Sequence, residues 1–582
     1  MSSASGRFVV TFNGEIYNFG DLRKELRSHG AAFQTRSDTE VLLAAVEQWG
    51  VVATLPRLRG MFAFAIWDIQ ERQLWLARDR LGIKPLYFWK GKEGIAFASE
   101  VRAFHCFPGF DRKIDPAASD SFLRRMYVPS PRSIFAGVEK LAPGQYVRFA
   151  TGVSGPVEEH RCAYWDLREV AYGAKTPAKP MEAVDRFEEL LRESIRLRLV
   201  ADVPVGAFLS GGVDSTVVTS IMQDLASEAV RTFTIEFDDD QFNEGPAAAE
   251  IARHLGTRHT AVRFSSDEVL RLIPTLPGLS DEPMANPSLL PTLLVSRVAR
   301  REVVVALSGD GGDELFGGYN RYLHGARLIT RAQHFPRVAR QALSRICAQG
   351  WTAGMADAVF RLGRPTNVGH QQTSRERLRK VAAVLSASNY QEAYHGLLDV
   401  GWKSHRLSRD YERAADGVLA SESLDIRERM MLHDQLDYLP DDLLAKLDRA
   451  SMWASLEARV PLLDHHVVEF SWAMQIEHKI RGSDTKWLLR QIASRYVPES
   501  ILRQPKMGFT VPIADWLRTD LREWARDLLS PDRLRSMAVV DPRKVHRAWV
   551  AFEAGGRNDL ALPLWTVAVL SAWCDAWQVQ FS

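Results

Sequence analysis

Residues 205–216 read VGAFLSGGVDST, in which an apolar segment runs into a Ser-Gly-Gly turn. The apolar residues 205–209 predict a buried strand, and Val213 begins a segment that predicts a helix. A strand, a glycine turn and a helix in this order are typical of one unit of a parallel sheet. A tight turn without any ligand is the plain alternative for a Gly-Gly pair, but the whole string is far more specific than that pair.

The turn itself carries the groups that bind a phosphate. Gly211 and Gly212 let the backbone approach a ligand closely, and the start of the helix offers free N–H groups to an anion. Ser210 and Ser215 add hydroxyl donors, whereas no Lys follows the glycines as it does in the GxxxxGKS type of nucleotide loop. Asp214 would repel a bare phosphate, so its presence predicts Mg²⁺ between the carboxylate and the phosphate.

A second glycine-rich turn, ALSGDGGDELFGGY at residues 306–319, follows a strand that EVVVAL predicts at 302–307. Asp310, Asp313 and Glu314 crowd this turn, and three carboxylates so close repel each other unless a cation is near. Parallel sheets bind ligands where the carboxyl ends of their strands meet. The two turns therefore predict one site, in which Asp313 and the carboxylate of the first turn share Mg²⁺. The alternative is an acidic turn that only stabilises the dipole of the next helix.

The part of the chain before residue 168 has a different pattern. Short apolar runs separated by turns predict an antiparallel, sheet-rich domain over residues 1–167. The predicted strands lie at residues 7–12, ended by an Asn13-Gly14 turn, and at 61–67, 73–77 and 85–89. The predicted helices lie at residues 21–29 and 38–49, the second capped by Asp38 and ended before Gly50.

Residues 168–182 hold few large apolar groups and two prolines, which predicts a linker. Beyond it, strands alternate with helices, so a second domain with a parallel sheet is expected over residues 183–582. Its predicted strands lie at residues 205–209, 230–237 and 302–307, and the chain beyond residue 321 is predicted to be mostly helical.

The composition excludes several classes of protein. The chain has 582 residues, with 74 Lys and Arg against 72 Asp and Glu, 46% apolar residues and 25% charged residues. This balance argues against a nucleic-acid or membrane binder, and the apolar share argues against disorder. The four cysteines form no CxxC pair, which argues against a disulfide scaffold or a zinc knuckle. With no signal peptide and no apolar run long enough for a bilayer, we expect a cytoplasmic protein.

Long motifs in both halves extend these patterns. The second half contains SGGVDS, SGDGGDELFGGY, LPDDLLAKLDRASMWASLEARVPLLD (439–464), TKWLLR (485–490) and KMGFTVPIADWL (506–517). The first half contains FNGEIYN (12–18), SDTEVLLAA (37–45), RGMFAFAIWD (59–68), LARDRLGIKPLYF (76–88) and FASE (97–100). In this order the motifs resemble the class B, glutamine-hydrolysing asparagine synthetases over nearly the whole chain.

The resemblance implies an α/β fold in two domains. The first is a partial Ntn-type (class II) glutamine amidotransferase domain with αββα layers. The second is a parallel-sheet ATP-pyrophosphatase domain, of the adenine nucleotide alpha hydrolase-like type, with a helical C-terminal region. The resemblance also implies ATP and Mg²⁺: ATP converts the β-carboxylate of aspartate to β-aspartyl-AMP and releases pyrophosphate, and ammonia then displaces AMP to give asparagine.

The resemblance assigns roles to individual residues of the second domain. Asp310 matches an acid that is important for forming the acyl-adenylate, and Lys486 matches a lysine that stabilises charge on the phosphorus. An exposed helix lysine is the plain alternative for Lys486. The other nucleotide positions are Leu209 and Ile235 at the adenine, Ser308 and Gly309 at the nucleotide, Ser210, Gly211, Gly212 and Ser215 at the pyrophosphate, and Asp214 and Asp313 at Mg²⁺.

Two further groups in the second domain have less definite roles. Lys446, Asp448 and Arg449 lie on a predicted helix, where they either bind the charged ends of the substrate or form an ion-pair set within the helix. Lys506 and Gly508 are expected to order a loop.

In the first domain, Asn13 and Gly14 match the oxyanion hole of the family, and Glu15 and Asp38 match groups that bind the amine of glutamine. Members of the family begin Met-Cys-Gly, and the cysteine attacks glutamine. This sequence begins MSSASGRF, and Ser2 is not expected to replace the cysteine. We therefore expect that the chain as written does not hydrolyse glutamine and takes free ammonia. A misplaced start codon or a truncated gene is the other explanation for the missing cysteine.

Three activities remain open from the sequence. The first is asparagine synthesis from aspartate, ATP and glutamine or ammonia. The second is a related amidotransferase or amide-forming cyclase that acts on another carboxylate, with DEPMANPS (281–288) in the expected substrate pocket. The third is a non-catalytic remnant or regulatory subunit. The resemblance implies small-molecule partners and a homodimer, without nucleic acid or membrane.

Overall fold

The computed structural model describes residues 1–92, 94–150, 158–237, 244–348, 374–400, 417–502, 511–537, 539–579 and 581. Within these residues the N-terminal half of the chain is built on two antiparallel sheets, and the C-terminal half is built on one parallel sheet. The chain after the last strand is helical. The predicted α/β class is confirmed.

The N-terminal half contains strands β1 to β8, which are Phe8–Ile16, Gly60–Asp68, Gln73–Arg78, Tyr87–Gly91, Gly94–Ala98, Val138–Lys140, Gln145–Ala150 and Glu158–Ala163. In the described part of the chain they form a five-stranded sheet, in the order β1-β2-β3-β7-β8, and a three-stranded sheet, in the order β5-β4-β6. All pairings within both sheets are antiparallel, as predicted.

Strand β2 shows how these layers stack. Its side chains alternate between the two faces of the sheet, as the pleat requires. Phe62 and Phe64 pack with the helices Phe19–Ser28 and Asp38–Thr54, whereas Ala63 packs against the three-stranded sheet. The order of layers is therefore helices, five-stranded sheet and three-stranded sheet.

Two predictions in this half are wrong. Asn13-Gly14 is not a turn, because β1 continues through it to Ile16. A Cβ atom on Gly14 would lie 2.0 Å from the carbonyl oxygen of Met61, so glycine is needed for strand pairing and not for chain reversal. The predicted end of the helix that begins at Asp38 is confirmed, because the backbone at Gly50 is non-helical (φ 76°, ψ 165°) and interrupts Asp38–Thr54 there. The predicted start is wrong, because the N-cap is Ser37. Asp38 was the predicted cap.

The C-terminal half contains strands β9 to β13, which are Val205–Phe208, Arg231–Phe237, Arg258–Phe264, Val305–Leu307 and Glu457–Arg459. Their order is β11-β10-β9-β12-β13, and every pairing is parallel. The predicted parallel sheet is confirmed, and β11 and β13 are additions to it. Helices cover both faces: Leu289–Arg300 packs in one apolar core, and Val213–Leu225 packs in another.

Helices connect and follow these strands. The predicted linker, residues 168–182, overlaps the helix Leu167–Tyr172 and the start of the helix Pro180–Arg198. Two π-helices, Arg321–Gly325 and Leu439–Leu444, adjoin the sheet domain. The described α-helices are Phe19–Ser28, Asp38–Thr54, Pro116–Arg125, Leu167–Tyr172, Pro180–Arg198, Val213–Leu225, Gly245–Leu255, Ser266–Leu272, Leu276–Leu279, Leu289–Arg300, Gly312–Phe316, Ala326–Gln333, Arg337–Ala348, Ser374–Ser386, Tyr390–Leu398, Ile426–Leu436, Ala445–Trp453, His465–Ala473, Trp487–Tyr496, Glu499–Leu502, Ile513–Arg518, Arg522–Leu528, Pro531–Leu534, Pro542–Glu553 and Ala561–Trp577.

The last helix, Ala561–Trp577, is the most apolar of the described helices that are long enough to be tested as a membrane span. With its preceding turn it has the length and hydropathy of a span, and 72% of its most apolar window is buried inside the protein. Trp565 and Trp573 of this helix donate hydrogen bonds to the carbonyl oxygens of Ala285 and Ser280. These contacts are those of a helix in a protein core.

Candidate active site

The two glycine-rich loops meet at one edge of the parallel sheet. The first loop (residues 209–215) follows β9, and the second loop (residues 308–314) follows β12, which pairs with β9. A Cβ atom on Gly309 would lie 2.6 Å from the backbone nitrogen of Ser215, and one on Gly312 would lie 2.5 Å from Oδ1 of Asp214. The second loop can approach the first so closely only because both positions are glycine.

The first loop is held by its own serines. The Oγ atoms of Ser210 and Ser215 are 2.9 Å apart, the Ser210 N–H donates to Ser215 Oγ, and the Gly212 N–H donates to Ser210 Oγ. Gly211 lies against the helix Gly245–Leu255, where an added Cβ would be 2.7 Å from Cβ of Ala247. The helix that follows begins without a side-chain cap, so its first N–H groups are placed to bind an anion.

Lys486 joins the two loops. Its ammonium contacts Asp214 and lies 2.7 Å from Oδ1 of Asp313, and its side chain is 4% exposed. The residue has left-handed backbone angles (φ 55°, ψ 38°) at the start of the helix Trp487–Tyr496, and its N–H donates to the carbonyl oxygen of Phe316. The structure thus brings together one predicted catalytic residue and both predicted metal ligands.

The carboxylates of Asp214 and Asp313 form a donor set that fits Mg²⁺. Both approach the same ammonium, so they face a common space. Mg²⁺ in nucleotide sites is commonly bound by one or two carboxylates together with phosphate oxygens and waters. Among the described residues no cluster of three or more His, Cys, Asp or Glu side chains is placed to hold a metal alone. The two carboxylates therefore suit an ion that arrives with a polyphosphate.

Ser308 and Asp310 form the rest of the second loop. The Ser308 hydroxyl donates to Oδ2 of Asp310, and the Ser308 N–H donates to the carbonyl oxygen of Arg459, 2.8 Å away, in the neighbouring strand β13. Asp310 is half-buried at the mouth of the loop. The hydrogen bond fixes the direction of its carboxylate within the second loop.

The structure does not bring the two predicted adenine residues into one side-chain cluster. Leu209 packs with Ala248 and Ile251, and Ile235 packs in the larger core that contains Phe233. Both side chains are buried. Their role at the adenine stays a prediction.

The four predicted glutamine-binding residues lie together at the end of β1. Asn13 donates from Nδ2 to Ser99 Oγ, and Asp38 accepts a hydrogen bond of 2.9 Å from the backbone N–H of Ile16. Gly14 and Glu15 lie between these two contacts in the strand. Burial, opposed in part by the nearby charge of Arg459, raises the pKa of Glu15 to about 7.

Sequence comparisons agree with this arrangement of two half-chains. An asparagine synthase family model matches residues 186–578, and a glutamine amidotransferase domain model matches residues 1–162. The chain belongs to the asparagine synthase family. A Mycobacterium tuberculosis protein (strain H37Rv) whose name places it among glutamine-hydrolysing asparagine synthetases is 34% identical, over 98% of this chain and 84% of its own length.

Two other relatives differ in their names. Glutamine-hydrolysing asparagine synthetase 1 of Bacillus subtilis is 31% identical, over 97% of this chain and 85% of its own length. Amidase chyE of Penicillium rubens is 26% identical, over 91% of this chain and 80% of its own length. The chain is thus similar, over both of its halves, to a relative named as an asparagine synthetase and to a relative named as an amidase.

In this member of the family, DEPMANPS meets the LPDDLLAKLDR segment. Asn286 Nδ2 donates to Asp442 Oδ2 at 2.7 Å, and Lys446 Nζ donates to Ser288 Oγ at 3.0 Å. Burial raises the pKa of Asp442 to about 7, although the charge of Lys446 opposes the shift. Nothing in the local sequence distinguishes Asp442 from its neighbour Asp441, so its contact with Asn286 could not be found before the structure.

Glu314 is the buried acid of the second loop. It is 0% exposed, and the Tyr319 hydroxyl donates to its Oε1. Burial and, to a smaller extent, the negative charge of Asp313 raise the pKa of Glu314 to about 7. The sequence places Glu314 among the crowded carboxylates, but only the structure shows that it is the buried one.

Asp448 and Arg449 bind the N-terminal half of the chain. Asp448 accepts from Lys84 at 3.1 Å, and Arg449 donates to the carbonyl oxygen of Ser99 and pairs with Asp281 at 3.3 Å. Arg449 also contacts Asp448, so the predicted ion pair within the helix exists as part of a larger set. The predicted loop residues Lys506 and Gly508 lie outside the described residues.

Proposed function

We propose that this chain uses ATP to amidate the side-chain carboxylate of aspartate, giving asparagine, AMP and pyrophosphate through β-aspartyl-AMP. The observation that carries the proposal is the contact of Lys486 with both Asp214 and Asp313 where the two loops meet. The membership of the chain in the asparagine synthase family supports the same reaction.

The reaction brings two negatively charged groups together, and these residues supply positive charge that reduces their repulsion. A carboxylate and a triphosphate repel each other, so their approach requires positive charge. Lys486 supplies one fixed cation, and the uncapped start of the helix Val213–Leu225 supplies N–H donors. Mg²⁺ held by Asp214 and Asp313 would neutralise charge on the departing pyrophosphate.

The chemistry proceeds in two displacements. An oxygen of the aspartate β-carboxylate attacks the α-phosphorus of ATP, and the bond from that phosphorus to pyrophosphate breaks. The nitrogen of ammonia then attacks the acyl carbon, the bond to AMP breaks, and the nitrogen loses a proton. In this proposal Lys486 stabilises negative charge in the first displacement, and the Ser308 hydroxyl, which donates to Asp310, orients that carboxylate.

We assign the charged ends of aspartate to the Asn286, Ser288, Asp442 and Lys446 cluster. The ammonium of Lys446 suits the α-carboxylate, and the carboxylate of Asp442 suits the α-amino group. Both side chains are buried, and each is hydrogen-bonded to the DEPMANPS segment, Asp442 to Asn286 and Lys446 to Ser288. A replacement of Lys446 by Met is expected to raise the KM for aspartate more than the KM for ATP.

Ammonia is the proposed attacking group, and its source is tested directly. Purified protein is given ATP, Mg²⁺ and aspartate with either ammonium chloride or glutamine, and AMP and asparagine are measured. Asparagine from ammonium supports the proposed chemistry, and asparagine from glutamine additionally assigns a working glutaminase to the N-terminal half. Asparagine from neither donor would contradict the proposal.

The metal-binding assignment has its own test. Asp214→Asn and Asp313→Asn are each expected to lower AMP formation at least about 100-fold, since each removes one carboxylate of the pair. Asp224→Asn, an exposed position later in the helix that Asp214 begins, is the matched control. Unchanged AMP formation in either site variant would overturn the assignment.

A second candidate is amidation of a different carboxylate. The relative named amidase chyE, similar over 91% of this chain, favours it. A panel of carboxylates in an ATP–pyrophosphate exchange assay separates the two candidates. Exchange that depends on aspartate supports asparagine synthesis, whereas exchange that depends on another acid alone supports the second candidate.

A further inference from the structure

A small cavity lies between the N-terminal and C-terminal halves, and its lining includes none of the residues of the two loops. The charged and titratable side chains around it come from both halves of the chain: Arg59, Asp79, Arg80, Arg198, Asp464 and His465. Most of the residues around the cavity are charged or titratable, whereas pockets for organic ligands are lined mainly by apolar side chains, so the cavity suits an inorganic ion.

Three guanidinium groups around this cavity are buried and incompletely bonded. Arg59, Arg80 and Arg198 are 7%, 8% and 2% exposed. Within the described part of the chain, Nη2 of Arg59, Nε of Arg80 and Nε of Arg198 have no hydrogen-bond partner. Three buried donors at one cavity are unusual, because buried polar groups are nearly always hydrogen-bonded.

Carboxylates neutralise two of the three arginines. Asp464 accepts from Arg59 at 2.8 Å and from Arg198 at 3.0 Å, and Glu193 accepts from Arg59 at 2.6 Å. Two carboxylates therefore face two guanidinium groups. This part of the cavity wall has no excess charge.

Arg80 has a different environment. It donates to the carbonyl oxygens of Pro56 and Leu58, and it forms no ion pair with a described carboxylate. Asp79, its neighbour in sequence, accepts four backbone N–H groups, from residues 62, 81, 83 and 84. The pKa of His465 is lowered to about 3, first by burial and second by the positive charge of Arg80. The imidazole of His465 therefore stays neutral. Among the described residues, Arg80 therefore has no carboxylate at ion-pairing distance, and Asp79, the other carboxylate that lines the cavity, is bonded to backbone N–H groups instead.

We propose that this cavity binds a small monovalent inorganic anion, of the size of chloride, between the two halves of the chain. A buried charge without a counterion is costly, and an anion beside Arg80 removes that cost. The same ion would accept the remaining N–H groups of Arg59 and Arg198. Because these donors come from both halves, the bound anion stabilises the contact between the halves.

Bromide identifies the site directly, because it replaces chloride and has a strong anomalous X-ray signal. Crystals of the full chain are grown or soaked in sodium bromide. The expected result is an anomalous peak within hydrogen-bonding distance of Arg80. A cavity that holds only water, with no peak at saturating bromide, would overturn the proposal.

Thermal unfolding tests the same site in solution. The full chain is titrated with sodium chloride against sodium gluconate at constant ionic strength, which separates specific binding from screening. Saturable chloride binding is expected to raise the unfolding temperature by about 1–3 °C. Equal unfolding temperatures in the two salts would count against the site.

Arg80→Gln is expected to abolish the chloride-dependent shift, because it removes the unpaired charge. Arg186→Gln, at an exposed position on the helix Pro180–Arg198, is the matched control and is expected to keep the shift. If Arg80→Gln does not fold, Arg80→Lys is the second variant. It keeps the positive charge but loses the several N–H donors of the guanidinium group, and it is expected to weaken chloride binding at least about 3-fold. An unchanged chloride response in the folded variant would contradict the proposal.

Discussion

The ammonium of Lys486 lies 2.7 Å from Oδ1 of Asp313. It also contacts Asp214, which is 272 residues earlier in the chain. One cation therefore holds together two carboxylates that would otherwise repel each other across the loops. The same contact places the lysine where a polyphosphate and an acceptor carboxylate are proposed to meet.

Lys486→Met is expected to lower the rate of AMP formation about 100- to 1,000-fold, the usual effect of removing one electrostatic stabiliser of a transition state. Initial rates at saturating ATP and aspartate measure it. The backbone of Lys486 is left-handed, so Lys486→Asn is a second variant that tolerates this conformation and also lacks the charge. Both variants are expected to lose activity equally; an Asn variant with wild-type rates would show that the ammonium is not needed.

Gly309→Ala is expected to separate the two loops. The new Cβ would lie 2.6 Å from the nitrogen and 3.0 Å from Cα of Ser215, and backbone atoms cannot turn aside as a side chain can. We expect a loss of about 1–3 kcal/mol in stability together with a large fall in AMP formation. Gly278→Ala, where nothing lies within 4 Å of the added atom, is the control. If the two variants behave alike, the close contact of the loops has no consequence.

The stability of the protein is expected to fall as pH rises from about 4.5 to 7, in part because of Glu314. The pKa of Glu314 rises from 4.5 to about 7 on folding, through burial and the charge of Asp313. In this window the folded chain binds more protons than the unfolded chain, so raising the pH favours unfolding. Asp442 contributes in the same direction, since its pKa also rises to about 7.

Glu314→Gln is expected to flatten this dependence by on the order of 1–3 kcal/mol across the window, because the amide resembles the protonated acid and does not ionise. Urea unfolding midpoints at pH 5 and pH 7.5 measure the effect. Glu523→Gln, at a side chain that is 76% exposed, serves as control. A variant that keeps the full pH dependence would assign it to other groups.

Lys479→Met is expected to stabilise the protein at neutral pH. Lys479 is 0% exposed, its Nζ has no hydrogen-bond partner among the described residues, and it lies 4.3 Å from the centre of the Trp472 ring. Burial and the charge of Lys175 lower its pKa to about 7. Below pH 7 the buried amine carries its charge at a cost, and that cost disappears as pH rises toward 10.5, where the unfolded chain also loses the proton.

The gain from Lys479→Met is expected to be about 1–2 kcal/mol at pH 7 and smaller at pH 9, as thermal or urea unfolding would show. Lys175→Met is the comparison, because Lys175 donates to Glu428 and to the carbonyl oxygen of Trp472 and is expected to destabilise when removed. A destabilising effect at Lys479 would mean that its contact with Trp472 outweighs the cost of burial.

The parallel sheet could be predicted from sequence where a strand was apolar and a glycine turn followed it, as at β9 and β12. Strand β11 alternates polar residues and β13 has three residues between helical segments, so neither has a strong local pattern. Asn13-Gly14 was misread because this pair usually forms a turn. Its glycine is instead required by the carbonyl oxygen of Met61, a contact across the sheet that no local pattern contains.

The candidate site shows the same limit. The carboxylates and glycines of the two loops could be predicted from local sequence. The role of Lys486 was predicted from TKWLLR (485–490), which resembles a motif of the asparagine synthetases. The meeting of Asn286 with Asp442 and the depth at which Glu314 is buried depend on packing between distant segments. Shifted pKa values depend on such packing, which explains why the sequence did not distinguish Glu314 from its acidic neighbours.

Arg459 is shared by the two halves of the molecule. Its carbonyl oxygen accepts the Ser308 N–H of the second loop, and its guanidinium lies 3.6 Å from Glu15 in β1. Chimeras that exchange whole half-chains between paralogues therefore inherit a mismatch at this position unless strand β1 and strand β13 are transferred as a pair. Divergence of one half is accordingly constrained by the other at this side chain.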